Sequence, residues 1–195
     1  MVKKQSNSFM SCDGKTSIHV VMWRPDENEY DKPVAVLQIS HGMIEYIDRY
    51  DGFARFMADR GFVVVGNDHL GHGESVCSDD DLGFFKDEHP GEALAKDVHH
   101  LTVLTKKMYP GIPYYLLGHS MGSFVTRKYI CDYGYELDGV IIMGTGHQPT
   151  PMVLAGKALA DITRFIKGDR YRSRLISKIM FGAYNNRIKN VRTSN

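Results

Sequence analysis

The sequence predicts an α/β fold, a mostly parallel β-sheet with helices on both faces, and three observations carry that expectation. Four short runs are apolar on both sides, as strands covered on both faces must be: Val34 to Ile39, Phe62 to Val65, Tyr114 to Leu117 and Val140 to Met143. Stretches with helical spacing separate these runs, and strands that alternate with helices imply right-handed parallel crossovers. The third observation is Gly118-His119-Ser120-Met121-Gly122, placed where a buried strand gives way to a helix.

Taken in order, Ser8 to Cys12 and Thr16 to Trp23 flank Asp13-Gly14 and read as a β-hairpin. Asp26 to Lys32 is a polar loop before the first parallel strand. Tyr50 to Arg60 carries Phe53, Phe56 and Met57 at helical spacing, with Gly61 as a stop. After the strand at Phe62, a second helix from Gly91 to Tyr109 turns Ala95, Val98, Leu101, Val103 and Leu104 inward and ends at Pro110. The strand at Tyr114 and the helix from Ser123 to Tyr133 follow, then the strand at Val140, expected to be buried. From Pro151 the pattern changes. Met152, Leu154, Ala155, Leu159, Ile162, Phe165 and Ile166 suit one amphipathic helix, and Leu175, Ile176, Ile179 and Met180 another. These define residues 1–146 as the core and 147–195 as the start of a helical cap, or lid.

With 43% hydrophobic and 24% charged residues, the chain of 195 residues can bury one sizeable core. Three scattered cysteines, Cys12, Cys77 and Cys131, point to reduced thiols and a cytoplasmic protein. Lys3-Lys4 has no apolar stretch behind it, so no secretory signal is expected, and no run approaches a membrane span. The net charge of +1 is unevenly spread: residues 1–150 carry −7 and residues 151–195 carry +8. The basic part suits peripheral contact with anionic lipid; its plain reading is a solvated helical face, and no nucleic-acid partner is expected.

In a parallel sheet the ligand crevice lies at the carboxyl ends of the strands. Ser40-His41-Gly42, Asp68-His69, Ser120 and Gly144 to His147 all fall there. A serine attacks only when held exposed beside a base and beside donors for the oxyanion; the bend in G-x-S-x-G holds it so, and Ser120 is the expected nucleophile. The expected oxyanion donors are the main-chain amides of Met43 and Met121. His41, Gly42, His119 and His147 are expected to line the substrate site. His119 neighbours Ser120 at a sharp turn and points away from it, so it is not the base.

Asp68-His69-Leu70-Gly71-His72-Gly73-Glu74-Ser75 lacks a third metal ligand at useful spacing and lacks the phosphate-loop pattern. It reads as a tight loop fastened by Asp68 and Ser75. His99 and His100 lie in the second helix with surface or core roles, and no metal is expected.

His41-Gly42-Met43-Ile44-Glu45, then Asp68 to Ser75, then Gly118 to Gly122, in that order, resemble the monoacylglycerol lipases, which belong to the lysophospholipase-like and serine-aminopeptidase-like α/β-hydrolases. The likeness covers about residues 10–146. It implies an α/β-hydrolase fold and a cytosolic or membrane-associated serine hydrolase of single-chain lipid esters that needs no metal or organic cofactor. It gives Ser120 as nucleophile, Met43 and Met121 as oxyanion amides, and Asp68, Gly71, His72, Gly73 and Ser75 as structural.

The triad order in such folds is Ser, then Asp or Glu, then His. After Ser120 the one histidine is His147, and the acids between are Asp132, Glu136 and Asp138, expected at the opposite edge of the sheet. The triad acid and histidine are therefore expected outside this chain, in a C-terminal portion with the remaining strands or in a second polypeptide, with the fragment alone inactive. The competing expectations are a peptidase or amidase on the same scaffold, and a hydrolase-fold binding module without chemistry.

Overall fold

A computed structural model describes residues 1–85, 89–176 and 178. The chain divides into two compact units, residues 1–145 and 146–195. The first holds six strands, β1 (Lys3–Met10), β2 (Ser17–Arg24), β3 (Ala35–Ser40), β4 (Phe62–Asn67), β5 (Tyr114–His119) and β6 (Gly139–Met143), in the sheet order β1-β2-β4-β3-β5-β6. β1 and β2 are antiparallel, β2 joins β4 antiparallel, and β4, β3, β5 and β6 run parallel. The helices are α1 (Asp51–Ala58), α2 (Pro90–Met108) and α3 (Met121–Tyr133).

The alternation along each central strand explains the layering. Val36, Val63, Val65, Tyr114 and Leu116 pack with Val98 and Leu101 of α2 and Val125 and Tyr129 of α3. Leu37, Ile39, Val64 and Leu117 pack on the other face with Ala54 and Ala58 of α1 and with Trp23. Period-two side chains thus feed two separate cores. On α1 the buried residues are Ala54 and Ala58, while Phe53 and Phe56 are exposed. Small side chains let that helix sit close to the sheet and leave its large ones on the rim.

Polar residues take several core positions on α2. Val103 and Leu104, expected inward, are half-buried, whereas Asp97, Thr102 and Thr105 are buried. Asp97 ties the first hairpin down: it accepts from Ser11 Oγ at 2.7 Å and from the Cys12 N–H at 2.8 Å. Gln38 of β3 is fully buried; its Nε2 donates to Val98 O at 2.8 Å, and its Oε1 accepts from Thr102 Oγ1 at 2.7 Å and Tyr114 Oη at 2.6 Å. Replacing Gln38 with Leu leaves a carbonyl and two hydroxyls without that partner in a low-dielectric core. The expected loss is about 3 kcal/mol, read from the urea midpoint, since each orphaned buried group costs roughly 1–3 kcal/mol.

Two expectations need correcting. β1 begins at Lys3, not Ser8, because an edge strand of Lys, Gln, Ser and Asn faces water and has no apolar signature. β6 is not buried: Ile141, Ile142 and Met143 are 44%, 39% and 47% exposed. Its apolar pattern reports what the strand can bury, and among the described residues no strand pairs beyond it.

The second unit holds α4 (Thr150–Lys167), where the spacing predicts a helix, with none of its residues buried. The next expected helix, from Leu175, is helical at residues 174–176 and otherwise lies largely outside the described residues. No described helix is long and apolar enough to cross a membrane.

Candidate active site

The bend between β5 and α3 is held by close packing. Ser120 has φ 51° and ψ −116°, a left-handed conformation that an L-residue adopts at a cost of roughly 1–3 kcal/mol. Its N–H donates to Met143 O of β6 at 3.0 Å, and its carbonyl accepts from the Ser123 N–H and from Ser123 Oγ at 2.6 Å. A Cβ on Gly118 would lie 2.3 Å from Thr126 Oγ1 and 2.5 Å from Gly122 O. One on Gly122 would lie 2.0 Å from Ser40 O and 2.6 Å from His41 O. Both glycines are there because strand β3, strand β5 and helix α3 meet at main-chain contact.

That contact brings the loop after β3 beside the bend. A Cβ on Gly42 would stand 3.0 Å from the Cβ of Ser120. Among the described residues, neither the hydroxyl of Ser120 nor the main-chain N–H groups of Met43 and Met121 have a hydrogen-bond partner. Met121 is the first residue of α3, so its N–H is one of the amides a helix leaves open at its positive end. A half-buried hydroxyl and two open amides, held next to one another by backbone contact, can present an oxygen nucleophile and receive negative charge.

His41 and His69 are enclosed beneath this crevice. His41 is fully buried; its Nε2 accepts the His69 N–H at 3.0 Å, so Nδ1 carries the proton and donates to Gly42 O at 2.7 Å. With both nitrogens used, it cannot contact a substrate, and its expected place in the lining is corrected to support of the loop. Burial lowers its pKa to about 4, against the Gly42 hydrogen bond, which raises it; His72 lowers it further. His69 is also enclosed, with Nε2 at 3.0 Å from Ser40 Oγ and Nδ1 unpartnered. Burial drives its pKa well down, as do His41 and His72. The rings of His41 and His69 are 4.3 Å apart, and those of His41 and His72 are 5.4 Å apart.

Gly42 is likewise not free to meet a ligand through its N–H, which donates to Glu45 Oε1. The same carboxylate takes the Tyr50 hydroxyl at 2.9 Å and His119 Nδ1 at 2.9 Å. His119 therefore faces the loop after β3, and a carboxylate that can only accept fixes the proton on Nδ1. Burial raises the Glu45 pKa, but hydrogen bonds from His119, Gly42 and Tyr50 outweigh it and hold the carboxyl below its ordinary range. Sequence reasoning assigned no role to Glu45 or Tyr50. The available signal was a lone acid among Met43, Ile44 and Tyr46.

The loop after β4 is fastened as expected. Asp68 accepts from the N–H groups of Ile47 at 2.7 Å and Glu74 at 2.8 Å; Ser75 Oγ donates to Asp68 O and accepts the His19 N–H. Gly73 has φ 49°, and a Cβ there would strike the Asp68 carboxylate at 2.1 Å. Among the described residues, no group of three or more His, Cys, Asp or Glu could hold a metal ion. Asp132 pairs with Lys128, Glu136 with His99, and Asp138 accepts the Tyr114 N–H where β5 begins, at the end of the strand away from Ser120. His147 is exposed and belongs to the second unit.

Comparison with known proteins gives a consistent picture. A family model described as serine aminopeptidase, S33, matches residues 31–192. The monoglyceride lipase homolog of Monkeypox virus is 33% identical over 153 residues, which cover 75% of this chain and 51% of that protein. The monoglyceride lipase of Mus musculus is 27% identical over 144 residues, covering 74% of this chain and 42% of that protein. The chain spans about half the length of the curated relatives it matches. A thermostable carboxyl esterase from Bacillus coagulans, solved with glycerol, superposes with a TM-score of 0.81 at 29% identity, covering 97% of this chain and 59% of that one.

Proposed function

Because the chain belongs to the serine aminopeptidase S33 family and has the α/β-hydrolase fold, we propose that it is the nucleophile-bearing part of a serine hydrolase of single-chain lipid esters, of the monoacylglycerol or lysophospholipid type. The observation that carries this is the strained Ser120, with an unengaged hydroxyl beside the open amides of Met43 and Met121. In the reaction, Ser120 Oγ attacks the ester carbonyl carbon and its proton passes to a base. The carbonyl oxygen, now negative, rests on the two N–H groups, each worth a few kcal/mol in such sites. The alcohol leaves with a proton, and water then releases the fatty acid from the acyl-serine.

No described histidine is hydrogen-bonded to Ser120, and Asp132, Glu136 and Asp138 are engaged elsewhere. The base and its acid partner are supplied from outside residues 1–195, in the same chain or another, and residues 1–195 alone retain only a residual rate. The apolar stripe of α4 suits contact with a lipid chain, the property a lid would need, and its basic neighbours suit anionic lipid at a cytoplasmic membrane surface.

A fluorophosphonate probe should label Ser120, and Ser120→Ala should abolish both labelling and hydrolysis of monoacylglycerol in the complete protein. Equal ester hydrolysis by Ser120→Ala would end the proposal. The family description also includes aminopeptidases, so the panel includes N-terminal aminoacyl amides; faster cleavage of these than of monoacylglycerols replaces the lipid reading with a peptidase one.

A further inference from the structure

The loop that follows β3 is turned inside out relative to ordinary surface loops. Met43, Ile44 and Tyr46 are 41%, 74% and 49% exposed, whereas the one charge among them, Glu45, has a side chain only 12% exposed. Ile44 makes this possible by taking φ 60°, a conformation disfavoured for a β-branched residue. The chain accepts that strain, and what it obtains is the return of the Glu45 carboxylate beneath its own loop. Strain of this kind is stored where the surroundings over-determine it.

The surroundings here are three donors on a single oxygen. The Gly42 N–H belongs to the residue before Met43, His119 is the residue before Ser120, and Tyr50 precedes α1; all three meet Glu45 Oε1. The Tyr50 hydroxyl also lies 3.1 Å from His119 Nδ1, closing a ring of contacts. We propose that Glu45 is a positioning residue that clamps the Gly42–Met43 segment to the Ser120 bend and so sets the distance between the Met43 N–H and the reacting oxygen. This rests on the reading that Ser120 is the nucleophile and Met43 an oxyanion donor. Glu45 touches no substrate; it acts through main chain on one side and through His119 on the other. Charged acceptors bind donors about twice as strongly as neutral ones, which suits a clamp of one atom.

The test uses the complete protein, in which the base that activates Ser120 is present, with Glu45→Ala and Glu45→Gln. Loss of a hydrogen bond to a charged group should speed amide exchange at Gly42 by about 10-fold or more in Glu45→Ala. The rate of Ser120 phosphonylation by a fluorophosphonate should fall by a similar factor, about 10-fold or more, because the donor is no longer held. Glu45→Gln keeps an Oε1 acceptor, so exchange and phosphonylation should both return most of the way to the wild-type values. A merely structural residue would shift the melting temperature without this paired loss and rescue. Unchanged Gly42 exchange in Glu45→Ala overturns the clamp, as does faster exchange with unchanged phosphonylation. If Glu45→Ala does not fold, Glu45→Asp, which keeps the charge but draws the acceptor back by one methylene, takes its place: paired loss of Gly42 protection and of phosphonylation supports the clamp, and unchanged Gly42 exchange overturns it. A wild-type protein that resists phosphonylation sinks the serine-hydrolase reading, and Gly42 exchange then decides the clamp alone.

Discussion

Gly122→Ala should destabilise the chain by more than about 3 kcal/mol, enough to unfold a large fraction of a domain whose total stability is about 5–15 kcal/mol. The added methyl would stand 2.0 Å from Ser40 O and 2.5 Å from Ser40 C. Both are main-chain atoms of the central strand β3, which pairs with β4 on one side and β5 on the other. No side-chain rotation relieves the overlap, so α3 must move off the sheet. Overpacking against yielding side chains costs about 1–3 kcal/mol, and this case exceeds it because the obstacle is backbone. The matched control is Gly52→Ala on α1, where a methyl meets nothing within 4 Å. That change should stabilise by up to about 1 kcal/mol, since alanine is the better helix former. Thermal unfolding of the two variants checks both signs: a drop of roughly 6–12 °C for Gly122→Ala, and a small rise for Gly52→Ala. A Gly122→Ala melting temperature within 2 °C of wild type would contradict the close approach of α3 and β3.

Acid should weaken the fold in a window set by histidines, not carboxylates. Burial is the main cause that lowers His41 to about 4 and His69 well below 6.5. In the unfolded chain both take up a proton near pH 6.5. The folded state keeps them neutral, so their contribution is complete above pH 6.5. It declines as pH falls and, for His41, stops declining below about 4, where both states are protonated. For His41 alone the loss by pH 4 is about 3 kcal/mol. The charged form has little nearby to receive it: His69 and His72 lie alongside, with Glu45 the one acid that favours it. Asp51, which burial alone would raise but which Arg55, Trp23 and Lys4 bring to about 2, weakens the fold only at lower pH. Asp68 and Asp97, whose carboxyls burial raises, work in the opposite direction. Melting temperature measured from pH 7.5 to 4.5 should therefore fall steadily, and His41→Gln should flatten the curve while lowering its starting point. A flat wild-type curve would mean that these rings titrate normally.

Much of this architecture is written in local pattern. Runs such as Val63-Val64-Val65 declare strands covered twice, and the alternation places Val63 and Val65 in one core and Val64 in the other. Gly118 and Gly122 could be read from spacing because a strand-to-helix bend has few solutions at close quarters. What stayed hidden depends on partners distant in sequence. The buried Asp97 and Thr102 look like surface residues of a helix until Ser11 and Gln38 are seen to bind them, 86 and 64 positions away. Glu45 was invisible for the same reason: its meaning lies in His119, 74 positions later. His41 was misplaced because a histidine beside a crevice and a histidine beneath it carry the same letter.

The two rims of the sheet differ in kind. β1 presents lysines, serines and asparagine to water, a rim that discourages addition of another strand. β6 presents isoleucines and methionine, and its Met143 carbonyl holds the Ser120 amide. The sheet accordingly has a direction of growth. A strand added beside β6 would cover Ile141, Ile142 and Met143 and would pair with the same strand whose Met143 carbonyl holds the Ser120 bend.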